Sequence, residues 1–323
     1  MNNIKEISIE EFEGLSIGHA QDDEAKTGVS VLYFKNGAKA GCDISGGGPA
    51  SRETPLTSPL TADNPINAVV LSGGSAYGLA ASDGVMHCLE EHNIGFDTGF
   101  SKVPLVCQSC IYDLGYGRSD VRPDSAMGYI ACKNALGKTD SVMGNVGAGT
   151  GASVGKLLGM AQAQKSGLGI YVIKLGELKI AAVVVVNAFG DIFDPENGEK
   201  LAGLMDKERS NFMDIRDMFI NIMTTPKNLF HTNTTIGCII TNADFDKAML
   251  NKLAAMTRNA YARCIDPVGT MADGDSIYAC SIGSVKADIN LVGMLSAKVM
   301  EKAIKNAVIK SAISDEEYLR NCL

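Results

Sequence analysis

The chain has 323 residues, 46% of them hydrophobic, and carries a formal net charge of −8 at pH 7. This length and composition are typical of a globular protein with a well-buried core and exclude an extended disordered chain. Because the chain is acidic and has no run of Lys or Arg, it lacks the basic patch that nucleic-acid binding requires, and we expect no nucleic-acid partner.

Targeting signals and cysteine usage predict the compartment. Residues 1–6 lack the basic segment and apolar core of a secretory signal, and no uncharged apolar stretch reaches the ~18 residues of a membrane span. Of nine scattered cysteines only Cys107 and Cys110 lie close in sequence, which is typical of packed thiols in a reducing compartment. We therefore expect a cytoplasmic protein without a membrane partner. The four histidines show no metal-ligand spacing, so no metal site is predicted.

The first predicted strand, turn and helix contain a candidate pocket wall. Residues 68–71 are a short apolar run that predicts a buried strand, and residues 76–91 have helical spacing. Ser75 is not a nucleophile of the elbow type, because that motif needs glycine two residues to each side and position 77 is Tyr. We interpret Gly74 and Ser75 as a backbone turn that lines a substrate pocket.

A glycine-rich run follows at residues 144–155. Residues 147–152 fit the loose dinucleotide-binding pattern, which keeps a nucleotide-dependent oxidoreductase open as an alternative function. However, residues 139–143 are a poor entering strand, and a phosphate loop is excluded because the residue after Lys156 is neither Ser nor Thr. We interpret the run as tight turns around a site, with Gly147 in the substrate pocket.

Two apolar runs then predict a β-hairpin. Residues 169–175 and 178–186 are rich in β-branched residues and flank a Gly-Glu turn, and Asn187 ends the second run. Residues 201–223 have helical spacing, and residues 224–233 have the turn composition of an exposed connector.

The carboxyl-terminal part predicts two strands and two helices. The strands cover residues 235–241 and 276–282, and Asn242 is interpreted as the cap of the first helix. Each helix presents one apolar face, formed by Met249, Leu253, Met256 and Ala260 in the first and by Val292, Leu295, Val299 and Ala303 in the second. No repeat or interdomain linker interrupts the chain, so we expect one α/β domain over residues 1–323 with sheets covered by helices.

The string Asn233-Thr234-Thr235 lies between the connector and the strand and is typical of a self-cleavage junction. If the bond after Asn233 breaks, Thr234 becomes a chain terminus that carries a nucleophile, its Oγ, and a base, its own α-amino group. Such an amine titrates near ~7.7 to 8.0, so it can accept the hydroxyl proton close to neutral pH. The alternative interpretation is a polar turn that merely precedes a strand.

Acidic residues near the carboxyl terminus are candidate partners for a buried lysine. If Lys156 were buried in its glycine-rich turn, it would need a carboxylate, and Asp273 or Asp275 could supply one. The alternative interpretation of these two acidic residues is a surface turn or a weak cation site.

Five strings together resemble the self-processing aminopeptidases of peptidase family S58, also called the DmpA family, which includes β-peptidyl aminopeptidases and nylon-oligomer hydrolases. They run in family order through nearly the whole chain and are Ile17-Gly18-His19-Ala20 and residues 47–54, 71–81, 144–151 and 233–237. The resemblance implies a four-layer αββα sandwich, an α+β fold similar to that of the amino-terminal-nucleophile hydrolases. It also implies cleavage into an α chain, residues 1–233, and a β chain, residues 234–323. The two chains would remain one folded unit, and αβ units would assemble into a homo-oligomer, often a tetramer.

The same resemblance assigns catalytic residues, which are Tyr112, Lys156, Asn187, Thr234, Asp273 and Asp275. It implies that Thr234 is both nucleophile and base and that the Asn187 side-chain amide helps to hold the oxyanion. Tyr112 matches the family's active-site tyrosine, and Tyr116 is an alternative. The lysine and the two aspartates match the nylon-oligomer hydrolases, whereas β-peptidyl enzymes carry Ser-x-Glu in place of Asp-x-Asp.

The resulting hypothesis is an amidase or aminopeptidase that works through an acyl-enzyme ester on Thr234 and needs no metal or organic cofactor. Its substrate would be a small molecule or a short peptide or amide. The sequence leaves open whether this is an α-peptide, a β-peptide, a D-amino-acid amide or an ω-amino-acid oligomer. A binding protein of the same fold that never cleaves itself is a further alternative.

Overall fold

The structure is a computed structural model that describes residues 4–137, 139–223 and 233–323. Within these residues the strands are β1 (Ile4–Glu6), β2 (Leu15–Asp22), β3 (Thr27–Ile44), β4 (Ser51–Arg52), β5 (Ile66–Ser72), β6 (Phe96–Asp97), β7 (Lys102–Val103), β8 (Val106–Cys110), β9 (Ser153–Val154), β10 (Gln164–Lys165), β11 (Leu168–Leu175), β12 (Leu178–Asn187), β13 (Asp191–Phe193), β14 (Lys200–Ala202), β15 (Thr234–Ala243), β16 (Ile265–Asp266) and β17 (Ser276–Val285). The α-helices of the same residues are α1 (Ala81–Glu91), α2 (Ser125–Gly137), α3 (Ile215–Met223), α4 (Lys247–Thr257), α5 (Asn259–Cys264), α6 (Ile289–Ile309) and α7 (Asp315–Arg320).

β3 is the strand that joins the two halves of the fold. Its residues 39–44 pair antiparallel with β17, whereas its residues 29–33 pair antiparallel with β5. Hydrogen-bonded neighbours therefore follow the order β1-β11-β12-β15-β17-β3-β5-β8-β4, and β2 pairs with β3 outside this path. Because β3 changes partners along its length, these strands form two stacked sheets that share one strand.

Alternate residues of the central strands face two different cores. In β12, Val183 and Val185 belong to the hydrophobic cluster between the sheets, together with Leu32 of β3 and Leu71 of β5. The intervening Val184 belongs to a second cluster that includes residues of α4 and α6. Since side chains alternate along a strand, an uninterrupted apolar run such as that of β12 is buried on both faces.

Helices cover both outer faces of the paired sheets. α6 packs on β11 and β12, and α4 packs on β3 and β17. On the opposite side, α1 and α2 pack against β2, β3 and β5 through a third hydrophobic cluster. The order helix, sheet, sheet, helix is the four-layer αββα sandwich that the resemblance implied, so the expected fold class is confirmed.

Gly18 sets the close approach of α2 to β2. A Cβ atom at Gly18 would lie 2.1 Å from the backbone nitrogen of Ala135 and 2.4 Å from the carbonyl oxygen of Ala131. Both atoms belong to the backbone of α2, which cannot swing aside as a flexible side chain can. The contact between β2 and α2 therefore requires glycine at this position.

Most of the predicted strands are confirmed. Residues 68–71 lie in β5, the predicted hairpin is β11 and β12, and the two later runs lie in β15 and β17. The predicted helix at residues 76–91 begins with a 3₁₀ turn, Ser75–Ala80, before α1 starts. The predicted face of the last long helix is confirmed, because all four of its residues are buried in α6.

Asn242 does not cap α4, as the sequence had predicted. β15 continues past it, and Asp246 caps the helix by accepting a hydrogen bond from the N–H of Met249 at 2.8 Å. The Oδ1 of Asn242 instead accepts a hydrogen bond from the N–H of Lys179 at 2.7 Å, which ties β15 to the hairpin. The predicted apolar face of α4 is also wrong in part, because Met249 is exposed whereas Leu250 is buried.

Residues 201–223 are helical only in α3. The start of this segment belongs to β14, which pairs with β13 and so forms a strand where helical spacing had been predicted. Of the predicted connector at residues 224–233, residues 224–232 lie outside the described residues. Among the residues that are described, no helix is both long and apolar enough to cross a membrane. Cys107 and Cys110 are buried free thiols of β8, as predicted.

Candidate active site

The Asn233–Thr234 junction lies at the start of β15, between β12 and β17. Thr234 pairs in register with Asn187, the last residue of β12, and both residues are buried. The Thr234 Oγ donates a hydrogen bond to the carbonyl oxygen of Asn233, the residue just before it. The hydroxyl therefore contacts the carbonyl group of the bond that would have to break.

The main chain of residues 272–274 holds the junction from the side. The N–H of Gly274 donates to the carbonyl oxygen of Asn233 at 2.7 Å, and the N–H of Asn233 donates to the carbonyl oxygen of Ala272 at 2.9 Å. These bonds form a parallel bridge between Asn233 and Asp273. A hydrogen bond from Gly274 polarises the carbonyl that Thr234 contacts. A Cβ atom at Gly274 would lie 2.8 Å from the Thr234 Oγ, so this position admits no side chain without a shift.

No motif in the sequence indicates a role for Gly274 or Ala272. In the sequence Gly274 is only the spacer between Asp273 and Asp275, and its contacts with the junction, like those of Ala272, come from backbone atoms. A glycine set between two acidic residues was the one available signal, and it does not distinguish a site from a surface turn.

Lys156 and Asn187 form a buried pair. The Lys156 Nζ donates to both the carbonyl oxygen and the side-chain Oδ1 of Asn187, each at 2.8 Å. The N–H of Ser153 donates to the same Oδ1 at 3.1 Å, so the orientation of the amide group is fixed. Burial lowers the pKa of Lys156 to about 7, an effect that the negative charges of Asp273, Asp113 and Asp275 partly oppose.

Asp273 and Asp275 hold the loop that faces the junction. The Oδ1 of Asp275 accepts the N–H of Thr235 at 2.6 Å, and its Oδ2 accepts the N–H of Gly269 at 3.0 Å. Asp273 accepts from both the N–H and the hydroxyl of Thr270. Burial, reinforced by repulsion from Asp273, raises the pKa of Asp275. Both aspartates are therefore buried beside the junction, and neither belongs to a surface turn.

Tyr112 contacts the site through its main chain. Its carbonyl oxygen accepts a hydrogen bond from the Asn187 Nδ2 at 2.8 Å. Tyr116 lies elsewhere, buried against Tyr318 with the two ring centroids 5.2 Å apart. Of the two tyrosines that the sequence offered, only Tyr112 is bonded to the site.

Asp113 links the first glycine turn to the site, and no motif in the sequence indicates this role. Its Oδ1 accepts the N–H of Gly74 at 2.7 Å, and its Oδ2 accepts the hydroxyl of Thr27 at 2.6 Å. Burial raises the pKa of this carboxyl group. Because Asp113 follows Tyr112, it fixes the segment whose carbonyl orients Asn187.

The three predicted pocket residues lie in two places. Gly74 is bonded to Asp113, and Ser75, which is half-buried, donates its N–H to the carbonyl oxygen of Ile111 at 2.9 Å. Gly147 is buried, and its N–H donates to the Oε1 of Gln21 at 2.6 Å. The hydrogen bonds of the described residues therefore join Gly74 to the site through Asp113, but they join Gly147 to β2.

The glycine-rich run does not have the geometry of a dinucleotide site. Residues 139–143 form no strand, and Gly147–Gly149 is a single 3₁₀ turn that leads into β9. A dinucleotide motif needs a strand before the glycines and a helix after them. Throughout the described part of the chain, no three His, Cys, Asp or Glu side chains are grouped so that they could hold a metal ion.

The two stacked sheets between helical layers give this protein the fold of the amino-terminal-nucleophile hydrolases. The L-aminopeptidase D-Ala-esterase/amidase of Ochrobactrum anthropi, whose structure is described as a variant of that fold, is similar to this chain with a TM-score of 0.69 at 16% identity, over 97% of this chain and 93% of that one. The sequence profile of peptidase family S58 matches residues 8–316, and the chain belongs to this family.

Curated relatives agree with this assignment. An uncharacterized aminopeptidase of Mycobacterium leprae is 35% identical over 302 residues, covering 89% of this chain and 80% of the relative. A 6-aminohexanoate-oligomer endohydrolase of an Agromyces species is 31% identical over 315 residues, covering 92% of this chain and 84% of the relative. The protein is therefore a family S58 hydrolase that acts on amide bonds.

Proposed function

We propose that the chain cleaves itself between Asn233 and Thr234 and then hydrolyses amides through an acyl-enzyme on Thr234. The observation that carries this proposal is the contact of the Thr234 hydroxyl with the carbonyl of Asn233, whose oxygen accepts the N–H of Gly274. A nucleophile and an oxyanion donor thus meet at one peptide bond.

Self-cleavage begins when the Thr234 Oγ attacks the carbonyl carbon of Asn233 and gives up its hydroxyl proton, which passes to the Thr234 nitrogen as that nitrogen leaves. Negative charge develops on the Asn233 oxygen, where the Gly274 N–H stabilises it. The C–N bond then breaks and the Thr234 nitrogen takes up a proton, which leaves an ester between Asn233 and the Thr234 Oγ. Water hydrolyses this ester and releases the carboxylate of Asn233, a free hydroxyl and a free α-amine on Thr234.

Substrate hydrolysis makes and breaks the same types of bond, with the amide of the substrate in the place of the Asn233–Thr234 peptide bond. The neutral α-amine of Thr234 accepts the proton of its own hydroxyl, which attacks the substrate carbonyl. The amine product leaves first with a proton, and water then releases the acid from the acyl-enzyme. Because a free α-amine titrates near ~7.7 to 8.0, activity rises with pH through this range.

The surrounding residues have positioning roles in this mechanism. Asn187 Nδ2 carries two hydrogens, of which one is donated to Tyr112, so the second is available to an oxyanion. Lys156 fixes the amide from the other side by donating to its Oδ1. Asp275 holds the N–H of Thr235 and so fixes the main chain directly after the nucleophile.

We also propose that the α and β chains remain one folded domain, because β15 is hydrogen-bonded on both sides, to β12 and to β17. We expect αβ units to form a homo-oligomer in the cytoplasm, with a tetramer as the specific expectation. Light scattering of the purified protein tests the assembly, and a mass of one αβ unit would contradict it.

Trapping the acyl group tests the mechanism directly. The processed enzyme is mixed with an amino-acid p-nitrophenyl ester, quenched in acid within the first turnover, and both fragments are weighed by mass spectrometry. We expect the acyl group on residues 234–323. With hydroxylamine present, the ester and the p-nitroanilide of one acid should give the same ratio of hydroxamate to acid. An acyl group on residues 1–233, or a ratio that depends on the leaving group, would contradict the mechanism.

A further inference from the structure

Asn233 occupies a one-residue cradle, formed by the carbonyl oxygen of Ala272 and the N–H of Gly274. The cradle binds the two backbone groups of a single residue, since Ala272 accepts its N–H at 2.9 Å and Gly274 donates to its carbonyl oxygen at 2.7 Å. Asn233 is buried there. The arrangement is one register position of a parallel strand pair.

The cradle is held in place independently of Asn233. The N–H of Gly48 donates to the carbonyl oxygen of Asp273 at 2.9 Å, and the N–H of Gly47 donates to that of Thr270 at 3.0 Å. Asp273 accepts in addition from the hydroxyl of Thr270 at 2.7 Å. Departure of the new carboxyl terminus after cleavage therefore leaves the acceptor and the donor in position, with no partner from Asn233.

The chemistry of the two reactions connects this cradle to the substrate. The ester formed during self-cleavage joins the Thr234 Oγ to the acyl group of Asn233, while the Thr234 amine is free. The acyl-enzyme of the proposed hydrolysis has the same bonds, with the acyl group of the substrate in place of Asn233. Groups that hold the first acyl residue against Thr234 are therefore placed to hold the second.

We propose that Ala272 and Gly274 bind the acyl residue of the substrate in the place of Asn233, and that the enzyme consequently selects L-α-aminoacyl amides. This inference rests on the proposed function. The nitrogen that donates to Ala272 is separated from the scissile carbonyl by one carbon, as in any α-amino acid. A β-aminoacyl group has one further carbon between the nitrogen and the carbonyl, and an ω-aminohexanoyl group has four further carbons.

The L configuration follows from the same geometry. Asn233 is an L-residue whose N–H and carbonyl are both engaged by the cradle, so its Cα position fixes the direction of the side chain. A D-residue bound through the same two bonds would direct its side chain elsewhere. The cradle therefore disfavours D-amino-acid amides as well as β- and ω-amino acids.

Five p-nitroanilides test the proposal on the processed enzyme, with the processed fraction measured by intact mass in the same preparation. They are the L-alanyl, D-alanyl, β-alanyl, 6-aminohexanoyl and (S)-2-methoxypropanoyl anilides. The last keeps an electron-withdrawing atom on the α carbon but has no hydrogen to donate. We expect kcat/KM for the L-alanyl anilide to exceed each of the others by about tenfold or more, as for loss of one charge-assisted hydrogen bond.

The outcomes separate the two proposals. If the preparation is fully cleaved after Asn233 but the methoxypropanoyl or β-alanyl anilide is hydrolysed as fast as the L-alanyl anilide, the cradle does not bind the substrate, and self-cleavage stands. If the 6-aminohexanoyl anilide is preferred, the inference is likewise overturned. If the preparation hydrolyses anilides without any cleavage after Asn233, both proposals fail.

Discussion

At the level of single residues, the buried ammonium of Lys156 is unusual. It is buried, it donates to two oxygens of Asn187, and burial lowers its pKa to about 7. An unfolded lysine titrates near ~10.4, so between these two values the unfolded chain binds a proton that the folded chain does not. This lysine therefore contributes a free energy of unfolding that rises with pH across that window.

The Lys156→Met variant tests this linkage. The free energy of unfolding of the lysine-containing protein, relative to that of the variant, should increase by up to about 1.4 kcal/mol per pH unit between roughly pH 7 and pH 10. Both proteins should carry Thr234→Ala, which we expect to keep each a single chain, and urea unfolding at pH 6, 7, 8 and 9 gives the difference. A difference that is constant over this range would contradict the lowered pKa.

The catalytic roles of Lys156, Asn187, Asp273 and Asp275 are implied only by the resemblance, and Gly274 and Ala272 are indicated by neither the residues nor the resemblance. The first four residues act through side chains, which a sequence motif can identify. Gly274 and Ala272 act through backbone atoms, which every residue has. Which backbone N–H faces a given carbonyl depends on strand register, and β15 and the loop before β17 meet only in the folded chain. Residue type alone could not have assigned them.

At the scale of elements, the sequence predicted strands better than helix ends. The β11–β12 hairpin was clear because two apolar runs flank a Gly-Glu turn, and Gly176 has a positive φ of 60°. The start of α4 was misplaced because Asn242 and Asp246 both fit a cap, and tertiary contact with the hairpin occupies the former. Helical spacing at residues 201–223 was overridden where β14 pairs with β13.

Gly18→Ala tests how the outer helical layer is attached. The added Cβ would meet the backbone of α2 at 2.1 Å, so β2 and α2 must separate. We expect the free energy of unfolding to fall by about 3 kcal/mol, the upper part of the range for overpacked sites. Urea denaturation measures this change in the free energy of unfolding, with both proteins carrying Thr234→Ala so that each stays a single chain.

The matched control is Gly137→Ala at the end of the same helix. A Cβ there has no atom within 4 Å, so the change should be neutral or stabilising by less than about 1 kcal/mol. Equal effects of the two substitutions would show that the close approach of β2 to α2 does not determine stability.

At the scale of the whole molecule, the site is assembled from residues far apart in sequence, between Tyr112 and Asp275. The long strand β3 makes this possible, because it joins two sheets whose facing sides pack into one core. The sequence predicted sheets covered by helices, and the resemblance supplied their stacking order. The shared strand could not be read from the pattern, since an apolar run does not reveal which partners it will have along its length.

We expect the free cysteines to lower the stability of the whole fold at alkaline pH. Burial raises the pKa of Cys42, Cys110 and Cys264 to about 12, from an ordinary value of 9.0. A folded pKa above the unfolded one means that stability is full below pH 9 and is lost as pH rises toward 12. Under reducing conditions the free energy of unfolding should decline between pH 9 and pH 10.5, by up to about 1.4 kcal/mol per unit for each thiol.

Cys264→Ala is the variant that tests this alkaline loss of stability. In this variant the free energy of unfolding should decline less steeply with pH, by up to about 1.4 kcal/mol per pH unit, because one thiol is missing. Unfolding curves at three pH values can measure this difference in slope. An identical slope in the variant would rule out this thiol as a contributor.

Intact-mass spectrometry determines whether Thr234 attacks its own preceding carbonyl. The wild-type protein should yield fragments 1–233 and 234–323, and Thr234→Ala should yield one uncut chain. Thr235→Ala removes the neighbouring buried hydroxyl and is the matched control, which should cleave at the wild-type position. Cleavage that persists in Thr234→Ala, or fragments with a different boundary, would show that Thr234 is not the nucleophile of self-cleavage.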